Sequence, residues 1–173
     1  MVRPAATVAS RGVVEVGGRA LPCALGRGGV RLDKREGDGA TPAGDWPFRR
    51  ILYRPDKVAL PRQVLAAGLA AAPILPDDGW CDEPTSPLYN QPVRHPCQAS
   101  AERLWRTDDL YDILVVLGHN DAPVMPGHGS AIFLHVARPD MGPTEGCIAL
   151  DQHDILFILA YIPSLRGVRV GLN

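Results

Sequence analysis

The stretch GSAIFLHVARPDMGPTEGCIAL, Gly129 to Leu150, sets an apolar run carrying one histidine ahead of a turn-rich loop that ends in Gly146 and Cys147. Its first part is rich in large apolar residues and is bounded by glycine and proline, which predicts a central strand over 130–137. Alternation along that strand points Ile132, Leu134 and Val136 one way and Phe133, His135 and Ala137 the other. His135 then faces a cleft while its neighbours fill a core.

A solitary cysteine is most often an inert buried residue. The neighbours of Cys147 argue for chemistry instead. Gly146 removes a side chain where a substrate backbone has to approach and frees the chain for a tight turn. The N–H groups of 146 and 147 are candidates to hold an oxyanion. A thiol also wants a base, and His135 is the histidine borne on a strand beside this loop. His119 and His128 fall on turns, His95 in an irregular region and His153 on a helix. Pairing a thiol with an imidazole predicts a thiolate–imidazolium couple, with the thiol pKa lowered and the imidazole pKa raised.

Outward from this stretch the pattern stays mainly β. LYDILVVLGHN (110–120) is a second central strand, WPFRRILYRPD (46–56) a third, and residues 6–25 carry two or three short antiparallel strands. RGVRVGL (166–172) is a last strand. PRQVLAAGLAAAP (61–73) predicts a short helix opened by Pro61. DQHDILFILAYIP (151–163) predicts the clearest helix, with Asp151 as N-cap and Pro163 as its stop. The segment from Pro73 to Pro96 is irregular and is expected to cover one side of the core or a cleft. GRGGVRLDKREGDGATPAG (26–44) carries six glycines among many charges and reads as a long surface loop. It lacks the phosphate-cradling pattern G-x-x-x-x-G-K-[ST], so Lys34 and Arg35 are expected at a solvated tip or at the border of a groove.

Composition narrows the function classes. At 173 residues the chain has room for one domain, taken here as 1–173, and its 46% hydrophobic and 21% charged content is that of a soluble globular protein. A formal net charge of −1 gives no long-range attraction to polyanions, which argues against nucleic-acid and anionic-membrane partners. The four cysteines, at 23, 81, 97 and 147, are too dispersed for a zinc site, so no metal is expected. Arg11, Glu15 and Arg19 interrupt the amino-terminal apolar residues, so no export signal is expected and the location expected is the cytoplasm, or the periplasm if the native amino terminus is longer. Nothing in the sequence sets an oligomeric state.

The Gly129–Leu150 stretch resembles the His…[Ser/Thr]-His-Gly-Cys signature of the L,D-transpeptidase catalytic (YkuD-like) family, and KREGDGATPAGDWPFR (34–49) resembles that family's earlier TP-x-G segment, in the same order. The resemblance implies a β-sandwich with one or two helices and no cofactor. It implies catalytic Cys147 as nucleophile, His135 as general base and Gly146 beside them, with Thr144 as the small hydroxyl residue of the loop. The substrate it implies is a peptidoglycan stem tetrapeptide, cut between the diamino acid and D-alanine through a thioacyl-enzyme. An amine acceptor then makes the protein a transpeptidase. Water makes it an L,D-carboxypeptidase of muropeptide recycling, the fate that a cytoplasmic location favours. A non-catalytic peptidoglycan-binding module, or a structural cysteine in an unrelated β domain, is the alternative outside this chemistry.

Two positions depart from the family pattern: Glu145 stands where a second histidine is usual, and Ala149 where Asn or Arg is common. Arg138 is a candidate for the terminal carboxylate of the stem peptide through a bidentate pair. Glu145 is a candidate for the free amine of the diamino acid. His128, ahead of the His135 strand, completes the candidate substrate-binding set.

Overall fold

The computed structural model describes residues 1–66 and 68–172. The chain opens with β1 (Val2–Pro4), β2 (Arg11–Val16) and β3 (Arg19–Ala24), an antiparallel run in which Val2 pairs with Val14 and Val14 with Leu21. The glycine-rich loop follows, its ends tied by the short parallel pair β4 (Val30–Arg31) and β5 (Thr41–Pro42). Strand β6 (Gly44–Tyr53) is the longest. Next come α1 (Arg62–Ala66) and β7 (Ala71–Pro73), then β8 (Asp78–Cys81), β9 (Pro92–Arg94) and β10 (Ala101–Arg103). The carboxy-terminal part holds β11 (Ile113–Leu117), β12 (Phe133–Val136), β13 (Ile148–Leu150), α2 (Gln152–Ala160), a 3-10 turn (Ile162–Ser164) and β14 (Gly167–Val170).

Nine of these strands form one sheet in the order β11-β12-β13-β3-β2-β1-β14-β6-β7. The sheet curls back on itself, because β6 pairs with β14 through Gly44–Pro47 and with β11 through Phe48–Tyr53. The expected sandwich is therefore sheet-rich as predicted, with its two layers continuous along β6. Inside it lies the main core, which takes Ile113, Val115 and Leu117 from β11, Leu134 and Val136 from β12, and Ile148 and Leu150 from β13. Ile155, Ile158 and Leu159 of α2 join it, and Asp151 caps that helix as expected, its carboxylate accepting from His153 N–H at 2.8 Å.

The outer face of β11 and β12 has a second apolar cluster, with Leu114, Val116, Phe133 and Cys147 against Trp80, Leu104 and Tyr111. Trp80 belongs to the three-stranded sheet β10-β8-β9, which packs over this face. Both faces of β11 are thus buried, which is why its sequence is an unbroken apolar run rather than an alternation. The segment from Pro73 to Pro96, expected to be irregular, carries β8 and β9 and is this cover. Phe133 and His135 share the outer face while Leu134 and Val136 point inward, as the period-2 reading requires.

Two expectations give way. The helix expected over 61–73 stops at Ala66, and Ala71–Pro73 form β7 instead, paired in parallel with Ile51–Tyr53. Alanine's helix preference of a few tenths of a kcal/mol per residue is overridden by an available sheet edge; Ala67 lies outside the described residues. Within the glycine-rich loop, whose Arg35 is exposed as expected, Lys34 departs from the solvated tip. Lys34 is buried, ion-paired with Asp38 and donating to the Arg35 carbonyl at 2.8 Å. Asp38 in turn accepts from the N–H groups of Arg35 at 2.9 Å and Ala40 at 2.8 Å.

Candidate active site

Cys147 sits immediately before β13, and its position there is imposed by close packing. Gly146 has φ of 137°, a conformation that side chains disfavour, and a Cβ on it would lie 2.8 Å from the Ala40 carbonyl oxygen. The glycine-rich loop and the cysteine loop can touch this closely only because residue 146 has no side chain. The Cys147 carbonyl accepts from two hydroxyls, Thr144 at 2.7 Å and Thr41 at 3.4 Å, and Thr41 also accepts from Gly26 N–H at 2.8 Å. The TP segment and the cysteine loop, far apart in sequence, thus hold the same peptide group.

The thiol itself is 8% exposed. It donates to the Ala131 carbonyl at 3.2 Å and accepts from Phe133 N–H at 3.4 Å. Burial pushes its pKa up to about 12; the charge of Glu102 adds to the rise, while the Phe133 N–H and Lys34 oppose it.

Parallel pairing of β12 with β13 sets His135 opposite Ala149, so the imidazole lies on the same face as Cys147, two residues away along the partner strand. Its Nδ1 is 2.8 Å from the Val136 carbonyl. A carbonyl only accepts, so the proton is on Nδ1 and the lone pair of the neutral ring is on Nε2. Burial pulls the pKa of His135 down to about 4; the carbonyls of Val136 and Leu110 oppose the fall, and Arg106 and Arg138 deepen it. Both shifts run opposite to those expected of a thiolate–imidazolium couple, and desolvation by burial is the largest cause of each. At neutral pH the resting pair is a neutral thiol and a neutral imidazole, and no hydrogen bond joins them.

Both groups open into one cleft of about 450 Å³. Arg138 and Glu145 line its exposed rim, where Arg138 donates to the Pro143 carbonyl at 3.1 Å and Glu145 is ion-paired with Arg27 at 2.7 Å. Thr144 also lines the cleft, but its hydroxyl is committed to the Cys147 carbonyl and to Gly146 N–H at 3.2 Å, so it shapes the loop rather than presenting a free group to substrate. The same bond takes up the Gly146 N–H expected for an oxyanion. His128 departs from expectation: it is exposed, lies outside the cleft lining and contacts Arg35 at 3.5 Å, because its turn is carried away from β12. Its carbonyl accepts from the His119 ring at 2.9 Å.

Sequence reading missed the other half of the lining. Glu36, Asp82, Glu102, Arg106, Tyr111 and Ser130 come from the glycine-rich loop, the covering sheet and the ends of strands. Glu36 is held by Tyr89 and by the Ser130 hydroxyl at 2.7 Å. Glu102 accepts from the Tyr111 hydroxyl, and its own pKa is raised by burial. Only Tyr111, an aromatic at the head of an apolar strand, left a signal that periodicity registers. Among the described residues no group of three or more His, Cys, Asp or Glu is arranged to hold a metal ion, and no helix is long and apolar enough to cross a membrane.

No curated protein and no solved structure matches the chain. The family profile of YkuD, the L,D-transpeptidase catalytic domain, matches residues 8–170, a span that includes both loops meeting at Gly146 and every residue of the cleft. The chain belongs to the L,D-transpeptidase catalytic domain family of peptidoglycan enzymes.

Proposed function

We propose that the protein is a cysteine acyl-transfer enzyme acting on peptidoglycan stem tetrapeptides, with Cys147 as nucleophile and His135 as general base. The observation that carries this reading is that a thiol and an imidazole line one cleft, with the imidazole's proton held on Nδ1 by the Val136 carbonyl and its lone pair therefore left on Nε2. As the Sγ–C bond forms, the thiol proton passes to Nε2. The Cys147 N–H stabilises the oxyanion, the C–N bond to D-alanine breaks, and the amine leaves with the proton from the imidazolium. An acceptor amine then attacks the thioester, gives a proton to His135, and the returning proton restores the thiol.

The lining supports a substrate that carries an amine as well as a carboxylate. Four carboxylates, Glu36, Asp82, Glu102 and Glu145, face two guanidiniums, Arg106 and Arg138. Arg138 at the rim is assigned to the stem-peptide carboxylate. Its replacement by alanine raises KM for tetrapeptide and leaves alkylation of Cys147 by a small reagent unchanged.

The deciding assay incubates the protein with a disaccharide-tetrapeptide, with and without a D-amino acid, and weighs the products. Exchanged tetrapeptide or cross-linked dimer shows transfer. Tripeptide alone shows water as the acceptor and makes the protein an L,D-carboxypeptidase. Cys147→Ala abolishes either reaction, whereas Cys23→Ala, Cys81→Ala and Cys97→Ala do not; turnover surviving in Cys147→Ala removes the nucleophile assignment.

A further inference from the structure

The wall of the cleft beside His135 is built by Tyr111. Its ring centroid is 5.3 Å from that of the imidazole, at 74°, and 6.2 Å from that of Phe133, at 90°. On the far side of Phe133, Trp80 packs edge-on at 5.2 Å. Four rings therefore run in series from the covering sheet to the catalytic face of β12. Tyr111 is anchored at both ends. Its backbone neighbour Leu110 accepts from Val136 N–H at 3.0 Å, directly beside His135, and its hydroxyl donates to Glu102 on β10. The Arg106 guanidinium lies over the ring, 5.1 Å from its centroid. Burial, with the nearby charges of Cys147 and Glu102, keeps the phenol protonated well beyond its ordinary range, so it is a donor and not a base.

A buried imidazole can rotate about χ2, which exchanges the positions of its nitrogens and carbons; the turn gives up the Nδ1 hydrogen bond, and a packed neighbour blocks it further. The ring at 5.3 Å is that neighbour. We infer that Tyr111 is a positioning residue for His135: its ring, moored by Glu102, keeps Nδ1 on the Val136 carbonyl and Nε2 turned toward the cleft. This rests on the reading of His135 as the base of Cys147. It goes beyond that reading by tying the base to the covering sheet, so that Glu102 of β10 contributes to proton transfer through Tyr111.

The test follows the imidazole directly in the full-length protein. Ring ¹⁵N spectra report which nitrogen of His135 is protonated, and turnover of a disaccharide-tetrapeptide gives kcat and KM separately. Tyr111→Leu removes the wall: the Nδ1–H signal gives way to a mixture of tautomers, and kcat falls about a hundredfold with KM within about twofold. Tyr111→Phe keeps the wall and cuts its mooring: the tautomer stays, and kcat falls about fivefold. A folded Tyr111→Leu protein with wild-type ring shifts and kcat overturns the inference. Should Tyr111→Leu fail to fold, Tyr111→Phe decides alone, since unchanged kcat there also overturns it. His135→Gln separates the two levels: turnover that survives it removes His135 as the base, whereas wild-type spectra in Tyr111→Leu remove only the role of Tyr111.

Discussion

The thiol of Cys147 donates to the carbonyl of Ala131, and Ala131 holds that carbonyl in place with φ of 52°, a left-handed conformation for a residue that has a Cβ. Such a conformation costs on the order of 1 kcal/mol or more and persists only where the surroundings enforce it. Asn90 enforces it. Its Oδ1 accepts from Ala131 N–H at 3.1 Å and from Trp80 Nε1 at 3.0 Å, and its Nδ2 donates to the carbonyls of His119 at 3.0 Å and Asn120 at 2.8 Å.

Asn90→Ala leaves the buried Trp80 Nε1–H, the part-buried Ala131 N–H and two carbonyls without that partner. A loss of about 2–4 kcal/mol is expected in urea denaturation. Because Ala131 is released, Cys147 in the folded variant also reacts faster with iodoacetamide. A variant as stable as the parent would show that this amide is replaceable by water.

Stability should fall on the acid side because of His135. Its pKa is about 4 when folded and near 6.5 when unfolded, so below 6.5 the unfolded chain binds a proton that the folded chain refuses. The loss accumulates from pH 6.5 down to about 4 and reaches at most about 3 kcal/mol. Urea midpoints measured across that window, with His135→Gln as the reference, isolate this contribution: the parent loses more than the variant does.

Alkylation of Cys147 should be slow at neutral pH and keep rising through pH 10 without a plateau, because the thiol titrates at about 12. Glu102→Gln removes the charge that adds to this rise and should speed alkylation at pH 8. Mass spectrometry of the modified peptide reads both. A plateau near pH 7 would mean that the thiolate is stabilised at rest after all.

Thr144→Val keeps the shape and deletes the hydroxyl that binds both the Cys147 carbonyl and Gly146 N–H. We expect kcat to drop about tenfold or more with KM little changed, and Thr144→Ser to restore it. A rise in KM with kcat intact would return Thr144 to substrate binding.

The legible parts of this protein are those where one chemical periodicity dominates. The alternation through Phe133–Val136 gave the direction of His135, and Asp151 with Pro163 framed α2, because caps and β-pairing act over a few residues. The acidic lining was opaque for the opposite reason. Glu36, Asp82 and Glu102 look like solvated surface acids in their own segments, and they become cleft residues only when the covering sheet packs on Phe133. Lys34 was misjudged on the same ground, since its burial depends on Asp38 and on the loop closing over Gly129, where a Cβ would lie 2.8 Å from the lysine Cγ. The protonation of Cys147 and of His135 followed from depth, which spacing does not encode.

The curled sheet joins residues from opposite ends of the sequence: Val2 pairs in parallel with Val170, and Val170 with Gly44. During synthesis on a ribosome, β1 and the first half of β6 emerge early and wait with bare edges until Gly167–Val170 have cleared the exit tunnel. Only then does the barrel-like ring close. Nascent protein is therefore exposed to edge-to-edge association from the emergence of β1 until that of β14, and slowing the emergence of Gly167–Val170 should send more of it into aggregates.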